Sequence, residues 1–520
     1  MTVKKEGEAV AEKVKSTRSD DNKQFLGLRA IFWPIHSFEL KKFLPMAIMM
    51  MCILLNYSLA RGLKDSLVVT SIGESALPTL KLWFVLPGAV IFMIIYSKLL
   101  TVFSKNTVFY IVVSSFLLYF LLFITVLYPQ HEALHFKCAS YSTKLTQTLM
   151  LPIEHWVFAS FYVMAELWGS TMIGLMFWKF ANEVTPLRQS KRFYAMFGFV
   201  ANAALIISGL CLGMNEEDAA SSSSNVDWVA LPYLIGLIIL SCIIIMALYY
   251  YLTEYVLTDP LHFNSEEMNS QKKKKKEKLS VSDGFKYVLK SKYLGLIALL
   301  VICYGISINL VEVMWKGQVK LMYPSKAAFA NYMGELQIWT GLATIAFMLI
   351  GTNIMRKYSW FLSAMLTPLM IFVTGLIFFF FIIFNSHVTP FVEQFGFTAL
   401  GVVITVGLLQ NVLCKGVKYS LFDPTKEMSY IPLDDELKSR GKVAVDVVGS
   451  RLGKSGGALI QFVLVNIIYH VTSIAALAPQ VALIFCIFMF LWFFSVSCLN
   501  KKFLAITTAL NEEKTAMNSQ

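Results

Sequence analysis

The feature that most constrains this chain is a series of long apolar segments that recurs along most of its 520 residues. A helix needs about 20 apolar residues to cross the hydrocarbon core of a bilayer. Measured against that length, the sequence predicts about twelve membrane spans, and we expect an all-α membrane protein. The predicted spans cover residues 44–69, 80–100, 107–128, 156–180, 193–213, 229–252, 293–315, 329–355, 360–384, 396–421, 445–470 and 481–499.

The composition supports a membrane protein and argues against a metalloprotein. Hydrophobic residues make up 57% of the chain and charged residues only 15%, whereas a soluble domain has about 25% charged residues. The eight cysteines are scattered and include no Cys-x-x-Cys pair, so neither a zinc site nor a disulfide framework is predicted. We expect no metal and no cofactor.

The charge pattern divides the chain into five parts. A polar tail (1–42) precedes a six-span half (43–252), a basic linker (253–292), a second six-span half (293–500) and a C-terminal tail (501–520). The linker contains five consecutive lysines, 272–276, and such blocks are usually disordered and attract anionic lipid. Two sets of six spans around a basic linker are typical of major-facilitator transporters, whose substrate binds near the midplane between the halves.

The loops predict the orientation in the membrane. Residues 214–228, 385–395 and 472–480 contain no Lys or Arg, whereas the opposite loops are basic. The positive-inside rule therefore places both termini in the cytoplasm. We attribute the net charge of +12 to these loops rather than to nucleic-acid binding. The first residues lack the apolar core of a signal peptide.

The longest outer loop, 129–155, contains several potential metal ligands. His131, His135, Cys138 and His155 fall at spacings that match no metal-binding motif. We therefore expect a solvated loop.

Charged residues within the spans are the strongest functional signal. Each costs roughly 2.5–3.5 kcal/mol at mid-membrane, so such residues face a partner or a water-filled cavity. In the first span, Arg61 and Asp65 are four residues apart and are expected to form a local pair that leaves Lys64 unpaired. The other charges are Glu166 in the fourth span, Glu312 and Lys316 in the seventh, and Lys415, Lys418, Asp423 and Lys426 at the end of the tenth.

These charges recur in every third span, and Glu312 and Lys316 have the spacing of a helical ion pair. In a transporter built from three-helix units, the first helix of each unit lines the central cavity. The pattern therefore predicts one cavity lined by charges from four helices. The alternative is a set of interhelix ion pairs that only hold the bundle together.

Six stretches of the sequence carry a recognisable signature. They are NYSLARGLKDSLVVT (56–70), LPTLKLWFVLP (77–87), AELWGS (165–170), VEVMWK (311–316), KYSLFDPTKEMSYIPLD (418–434) and GKVAVDVVGSRLGKSGGALIQ (441–461). Together they resemble the nucleotide transporters of obligate intracellular bacteria, such as chlamydiae and rickettsiae, and of plastids, the ADP/ATP translocase family.

The resemblance implies an antiporter that imports host ATP in exchange for bacterial ADP by alternating access. It also implies a transport role for four charges at the matching motif positions, Lys64, Glu166, Glu312 and Lys426. The family's first motif usually has a threonine directly before the lysine, and this chain departs from that pattern with Leu63.

A polyphosphate substrate explains why lysines dominate the charges in the spans. ATP carries about four negative charges, and lysine binds phosphate as a point charge. The predicted substrate-binding residues are therefore Arg61, Lys64, Glu166, Glu312, Lys316, Lys415, Lys418, Lys426 and Lys454.

The segment RLGKSGG (451–457) resembles a phosphate-binding loop, but only three residues separate Gly449 from Gly453. This spacing does not match GxxxxGK[ST], and the segment lies within a predicted span. We interpret Gly453, Gly456 and Gly457 as helix-packing residues, and Lys454 as a residue that reaches the substrate or an inner gate.

Four aromatic residues are candidates for stacking on adenine, namely Tyr57, Trp168, Trp315 and Phe422. Aromatic residues make up 14% of the chain, so a core or lipid-facing position is the alternative for each of them.

Three other functions remain open at this stage. A proton-coupled or broad-specificity nucleotide importer of the same family would use Glu166 and Glu312 as titrating groups. A membrane enzyme is disfavoured because no nucleophile–base pair, metal cluster or P-loop is visible, and a structural scaffold leaves the recurring charges unexplained. We therefore predict a monomeric carrier with no catalytic residues, with ATP, ADP and lipid as its partners.

Overall fold

The computed structural model describes residues 33–136, 141, 143–213, 228–259, 291–433, 445, 449–471 and 473–518. These residues form helices and loops, with no strand among them. The long helices are α1 (Leu40–Ser71), α2 (Ala76–Val102), α3 (Lys105–Leu127), α4 (Trp156–Trp168, Gly169–Phe177 and Trp178–Val184 in succession), α5 (Leu187–Gly213), α6 (Leu231–Val256), α7 (Lys292–Met322), α8 (Lys326–Lys357), α9 (Trp360–Ile383), α10 (Ala399–Ser429), α11 (Ser450–Val463 continued by Leu464–Ile468) and α12 (Ala478–Asn518). Short helices cover Ser37–Glu39, His131–Leu134, Lys144–Glu154, Asn385–Glu393 and Ile474–Leu477.

Ten helices of the described chain are long and apolar enough to cross a membrane. The remaining two, α4 and α11, lie where the sequence also predicts spans. Helix α4 is interrupted by the π-helical stretch Gly169–Phe177, and the apolar part of α11 is short, Leu452–Ile468. The predicted all-α membrane fold is confirmed, and ten rather than twelve helices meet the length and apolarity of a span on their own.

The helices form two groups of six, α1–α6 and α7–α12, which we call the two halves. Within the halves, α1 packs against α5 and α6, and α7 packs against α11 and α12. The halves meet most extensively along α5 and α8. There Gly209 and Gly334 allow the backbones to touch, because a Cβ atom added to Gly209 would lie 2.5 Å from the Gly334 oxygen.

The halves are joined at the end of the bundle where α1 finishes and α8 begins. The Ser66 hydroxyl donates a hydrogen bond to the Lys326 carbonyl oxygen at the start of α8. Further round the bundle, the Thr148 hydroxyl donates to Asn466 Oδ1 at 2.6 Å. We call this end of the bundle the closed end.

The described part of loop 129–155 is partly folded, with short helices over His131–Leu134 and Lys144–Glu154, although residues such as Gln130 and Glu132 remain exposed. The Trp156 indole N–H donates to the Leu134 oxygen at 2.8 Å, and the ring nitrogens of His135 and His155 lie 3.2 Å apart. These contacts hold part of the loop against the start of α4, so the described loop is partly packed and partly exposed to solvent, as the expectation of a solvated loop in part requires. No group of three or more metal-binding side chains occurs in the described part of the chain, and Cys138 lies outside it.

Several other predictions concern residues in the gaps between the described ranges or near the chain ends. The five-lysine block 272–276 lies outside the described residues, so its contact with anionic lipid stays a prediction, as do the five domain boundaries. Beyond residue 500, where a tail is predicted, α12 continues as a helix to Asn518.

Candidate functional site

A chamber with two lobes lies between the halves. The first lobe is a cavity of about 290 Å³ and the second a cavity of about 330 Å³. The lobes adjoin, because both are lined by Tyr57, Arg61, Glu312, Lys316, Lys415 and Tyr419. We call the first the basic lobe and the second the apolar lobe, after the side chains that line each one alone.

Helix α1 contributes to both lobes from adjacent faces. Tyr57, Arg61 and Lys64 follow each other at helical spacing and line the basic lobe. Ser58 and Asp65 lie one position further round the helix and line the apolar lobe. Residues three or four apart share a helical face. Helix α1 therefore presents a cationic face to the basic lobe and an adjacent face, with Ser58 and Asp65, to the apolar lobe.

Lys64 is the most heavily paired cation of the chamber. Its Nζ lies 3.1 Å from Asp65 Oδ1 and 2.9 Å from Glu166 Oε1, and it also lies 3.9 Å from the centre of the Tyr162 ring. The expectation that Asp65 pairs with Arg61 and leaves Lys64 unpaired is therefore wrong. Asp65 is adjacent to Lys64 on α1, and its second oxygen contacts Lys316 Nζ at 2.8 Å.

Arg61 pairs instead with the opposite half. Its Nη2 lies 2.7 Å from Glu312 Oε1, and the same carboxylate oxygen contacts Lys316 Nζ at 3.1 Å. The predicted helical pair of Glu312 and Lys316 is thereby confirmed. Together with the contacts of Lys64, these pairs form one continuous chain of alternating charges in the order Glu166, Lys64, Asp65, Lys316, Glu312 and Arg61.

The chain of ion pairs crosses between the halves twice. Asp65 and Arg61 belong to α1, whereas Lys316 and Glu312 belong to α7. Removing one partner from a buried ion pair costs about 3–5 kcal/mol, because the other charge is left uncompensated. Separating the halves at this level therefore costs free energy unless water or another charged group replaces the lost partners.

Lys81 is a lining residue that sequence reasoning missed. It stands at the start of α2, lines the basic lobe, and its Nζ lies 3.3 Å from Asn309 Oδ1 on α7. A lysine inside a predicted span was a signal in the sequence. It fell in the second span, outside the pattern of every third span, and was passed over.

The basic lobe has more positive than negative groups. Seven cationic side chains line it, namely Arg61, Lys64, Lys81, Lys316, Lys415, Lys418 and Lys454. Four carboxylates line the lobe or contact these cations: Asp65, Glu166, Glu312 and Asp423. The formal excess among the described residues is three positive charges, which suits an anion.

Three π-helical stretches contribute lining residues. Leu80–Val85 holds Lys81, Gly169–Phe177 holds Ser170, and Lys418–Phe422 begins at a lining lysine. Such stretches are rare and occur frequently at functional sites. At the start of one of them the Tyr57 ring packs against Gly169, in the space where a side chain at that position would begin.

Eight of the nine predicted substrate-binding residues line the basic lobe. The exception is Lys426, which lines neither lobe. It lies near the end of α10 with its Nζ 3.8 Å from Glu427 Oε1. The structure thus gathers the charges of α1, α4, α7, α10 and α11 and leaves Lys426 outside them.

Of the four aromatic candidates, only Tyr57 lines the chamber. Trp168 and Trp315 are fully buried, and their indole N–H groups donate to the carbonyl oxygens of Ile53 and Ile404 at 3.0 and 2.9 Å. Phe422 is buried and stacks on Tyr304 with 5.0 Å between ring centres. These three aromatic residues belong to the core. Tyr419, which sequence reasoning did not single out, lines both lobes.

The glycines of RLGKSGG pack α11 against α7. A Cβ atom added to Gly453 would lie 3.1 Å from Gly305 Cα, and one added to Gly457 would lie 2.8 Å from Asn309 Cβ. The predicted packing role is therefore confirmed for Gly453 and Gly457. It is weaker at Gly456, where the nearest neighbour would lie at an ordinary 3.4 Å.

Comparison with known families decides the class of this chain. The sequence profile of the TLC ATP/ADP transporters matches residues 18–503. The chain belongs to the TLC ATP/ADP transporter family. Its TLC relatives include ADP,ATP carrier protein 1 of Chlamydia muridarum, 46% identical over 507 residues that cover 94% of each chain. Another is ADP,ATP carrier protein 1 of Rickettsia prowazekii, 46% identical over 488 residues that cover 92% of this chain and 96% of the relative.

Solved structures support the major-facilitator-like fold of this TLC transporter. The nucleoside transporter NupG superimposes with a TM-score of 0.54 at 10% identity, covering 88% of this chain and 99% of NupG. A bacterial homologue of the iron transporter ferroportin gives a TM-score of 0.52 at 14% identity, covering 91% and 99%. At these identities the similarity concerns the fold alone.

Proposed function

We propose that this protein is an antiporter that takes up ATP from a host cell in exchange for bacterial ADP, by alternating access to one site between its halves. The observation that carries the proposal is the basic lobe, where seven cations surround one cavity. Lysine and arginine are the side chains that bind phosphate groups most strongly. Membership of the TLC ATP/ADP transporter family supports a nucleotide as the source of those phosphates.

The eight predicted residues that line the basic lobe are proposed to bind the phosphates, together with Lys81. Without substrate, Lys64 is held by Asp65 and Glu166, and Lys316 by Asp65 and Glu312. A phosphate group that enters competes with these carboxylates for the lysines. Because the ion pairs join the halves, replacing a carboxylate by phosphate loosens the contact that opposes rearrangement. Movement of the halves then depends on a bound anion, which favours exchange over uniport.

The orientation of this conformation is part of the proposal. The closed end lies where α1 finishes, and the positive-inside rule places the start of α1 in the cytoplasm. The chamber is therefore proposed to face the cytoplasm, with both termini on that side of the bacterial inner membrane. The chamber is built from one chain, which supports a functional monomer.

Counter-exchange in liposomes tests the function. The purified protein is reconstituted, the vesicles are loaded with ADP or with buffer, and uptake of labelled ATP is followed. An exchanger takes up ATP strongly only when ADP is inside. Uptake that ignores internal ADP and follows an imposed pH gradient would support the proton-coupled alternative instead. Release of inorganic phosphate from ATP by the purified protein would favour an enzyme.

A further inference from the structure

The apolar lobe continues the chamber beyond the Arg61–Glu312 ion pair. It lies between α1 and α5 of one half and α8 of the other. Among the residues that line this lobe alone, Asp65 is the one charged side chain, and its oxygens contact Lys64 and Lys316. The walls are formed mainly by large apolar side chains, including Leu54, Ile173, Trp178, Leu205, Met333 and Leu336.

This lining suits the part of a ligand that carries no charge. Sites for small molecules are mostly apolar, with a few placed polar groups, and have volumes of about 300–1,000 Å³. The apolar lobe has about 330 Å³, and both lobes share Tyr57 and Tyr419 at their boundary. A molecule with a charged tail in the basic lobe extends its uncharged end across this boundary.

A buried hydroxyl in the apolar lobe lacks a partner. Ser58 is fully buried and lines the lobe, yet its Oγ makes no hydrogen bond with the described residues. A buried polar group left without a hydrogen bond costs about 1–3 kcal/mol, so such groups call for an explanation. Rotation of the Ser58 side chain toward the cavity would let a ligand atom supply this hydrogen bond, because the hydroxyl itself is inaccessible in this conformation.

An amide oxygen in the same lobe is also open to a ligand. Asn202 donates from Nδ2 to the Gly198 oxygen at 2.8 Å, whereas its Oδ1 receives no hydrogen bond from the described side chains. Gln337 beside it is already engaged at both ends, since Nε2 donates to the Ser58 backbone oxygen at 3.0 Å and Oε1 accepts from Ser208. Gln337 therefore holds the wall together, and Asn202 and Ser58 remain for recognition.

We propose that the apolar lobe is the nucleoside subsite of the chamber, and that Ser58 and Asn202 recognise an adenine base there. This inference rests on the proposed function, because it takes the bound anion to be a nucleotide. Adenine has an exocyclic amino group, which donates a hydrogen bond, where guanine has a carbonyl oxygen, which accepts one. An acceptor such as Asn202 Oδ1 pairs with the first and repels the second, so the lobe selects adenine over guanine.

A glycine allows the lobe to be filled without disturbing the protein. Gly198 lines the apolar lobe, and a Cβ atom added there meets no atom within 4 Å. A leucine at this position therefore begins in open space beside the cavity, and we expect it to occupy part of the lobe. Gly236 on α6 is a matched control, because it has the same open surroundings and lines neither lobe.

Binding to the full-length protein in nanodiscs, measured by calorimetry, tests the proposal with ATP, GTP and inorganic tripolyphosphate. Tripolyphosphate reports on the basic lobe alone. We expect Gly198→Leu to weaken ATP binding at least tenfold, roughly the loss of one placed group and its packing, and to leave tripolyphosphate binding within about twofold. Gly236→Leu should change neither.

Point changes at the polar groups test the recognition of the base. Ser58→Ala and Asn202→Leu should each weaken ATP binding about three- to tenfold, the range for one neutral hydrogen bond, and Asn202→Leu should also reduce the ratio of ATP to GTP affinity. Ser307→Ala is the matched control, since Ser307 Oγ is likewise buried without a hydrogen bond in the described structure but lines neither lobe.

The outcomes separate this inference from the proposed function. If wild-type protein binds ATP and the apolar-lobe variants weaken ATP and tripolyphosphate equally, or weaken neither, the nucleoside subsite lies elsewhere and the inference is overturned. If wild-type protein binds neither ATP nor tripolyphosphate, the proposed function itself fails.

Discussion

The guanidinium of Arg61 lies 2.7 Å from the carboxylate of Glu312, and this contact joins the two halves at the boundary between the two lobes. Arg61 belongs to α1 and Glu312 to α7, and both residues line both lobes. A substrate that occupies the whole chamber passes beside this pair. The pair therefore links the halves, and we propose that it also lies beside the bound substrate.

A double-mutant cycle at this pair measures their coupling. Arg61→Ala and Glu312→Ala should each reduce ATP uptake more than tenfold, because each removes a charge that lines the chamber and breaks the contact between the halves. The double variant should lose less than the product of the two single losses. Uptake of labelled ATP into ADP-loaded vesicles is measured for the two single variants and the double variant, each relative to the wild type. Strictly multiplicative losses would show that the two side chains act independently.

Lys64→Ala should abolish uptake of labelled ATP while the protein still inserts in the membrane. Lys64 is the cation next to the Glu166 end of the ion-pair chain, with Asp65 and Glu166 on either side, and without it the basic lobe loses one of its seven cations. Membrane insertion is checked by the amount of protein in the membrane fraction. Normal uptake by a fully inserted variant would remove Lys64 from the site.

Lys426→Ala should reduce transport without weakening ATP binding. The resemblance to the ADP/ATP translocase family implies a role for Lys426, yet the side chain lines neither lobe. Its role is therefore expected in the conformational cycle and not in the affinity of this state. Uptake and the Kd for ATP are measured on the same preparation. A raised Kd would bring Lys426 into the binding site, and normal uptake would exclude it from transport.

Lys81→Ala should raise the KM for ATP about tenfold, in the range for loss of one charge-assisted hydrogen bond. Lys81 lines the basic lobe and bridges to Asn309 across the halves. Lys98 lies on the same helix, is exposed and lines neither lobe, so Lys98→Ala serves as the control. Equal kinetics for the two variants would mean that Lys81 does not contact substrate.

Gly209→Ala should favour the conformation in which the closed end opens. The added methyl group would lie 2.5 Å from the Gly334 backbone oxygen, and overpacking of this kind costs about 1–3 kcal/mol. A cysteine introduced near this contact by Asn331→Cys should then react about tenfold faster with an impermeant maleimide, because the overpacking free energy shifts the equilibrium toward the open conformation. Gly236→Ala, with open space around the new methyl group, should leave the rate unchanged. No change with Gly209→Ala would mean that α5 and α8 do not separate there.

Acid should weaken the outer loop through His135. Burial, together with His155, His131 and Lys326, lowers the pKa of His135 from its ordinary value of 6.5 to about 4. The folded loop therefore favours the neutral ring, and its stabilisation is complete above pH 6.5 and is lost as the pH falls towards 4.

The fall in Tm between pH 7 and pH 4.5 is the measurement for this histidine. His135→Gln should show a smaller fall than the wild type, because it removes the group that takes up a proton on unfolding. The exposed His387 in the loop between α9 and α10 provides the control, His387→Gln. Equal falls for wild type and His135→Gln would assign the acid effect to other groups.

The positions of the charges were predictable from the sequence, but their pairing was not. A charge within an apolar run is expensive wherever the helix goes, so Arg61, Glu166 and Glu312 stood out without any knowledge of the fold. The partner of Arg61 is 251 residues away, whereas the predicted partner, Asp65, is four away. Only the packing of α1 against α7 brings the distant carboxylate closer, and local spacing contains no information about it.

The broken helices show the same limit. Uniform apolar runs such as those of α6 and α9 predict their spans directly. The π-helical stretch that begins at Gly169 was not predicted, and neither was the Tyr57 ring of α1, which occupies the position of a side chain at Gly169. The apolar lobe was missed for a related reason, since Ser58 and Asn202 are ordinary helical residues until α5 and α8 enclose them.

The division of the chamber into two lobes bears on how the protein distinguishes ATP from ADP. ATP and ADP have the same nucleoside and differ by one phosphoryl group. The proposed nucleoside subsite therefore binds that part of both substrates equally well. Discrimination between ATP and ADP then depends on the basic lobe, where the additional phosphate of ATP determines how many carboxylates lose their contacts with lysines. Substitutions among those lysines would change the relative affinities for ATP and ADP without changing which base is bound.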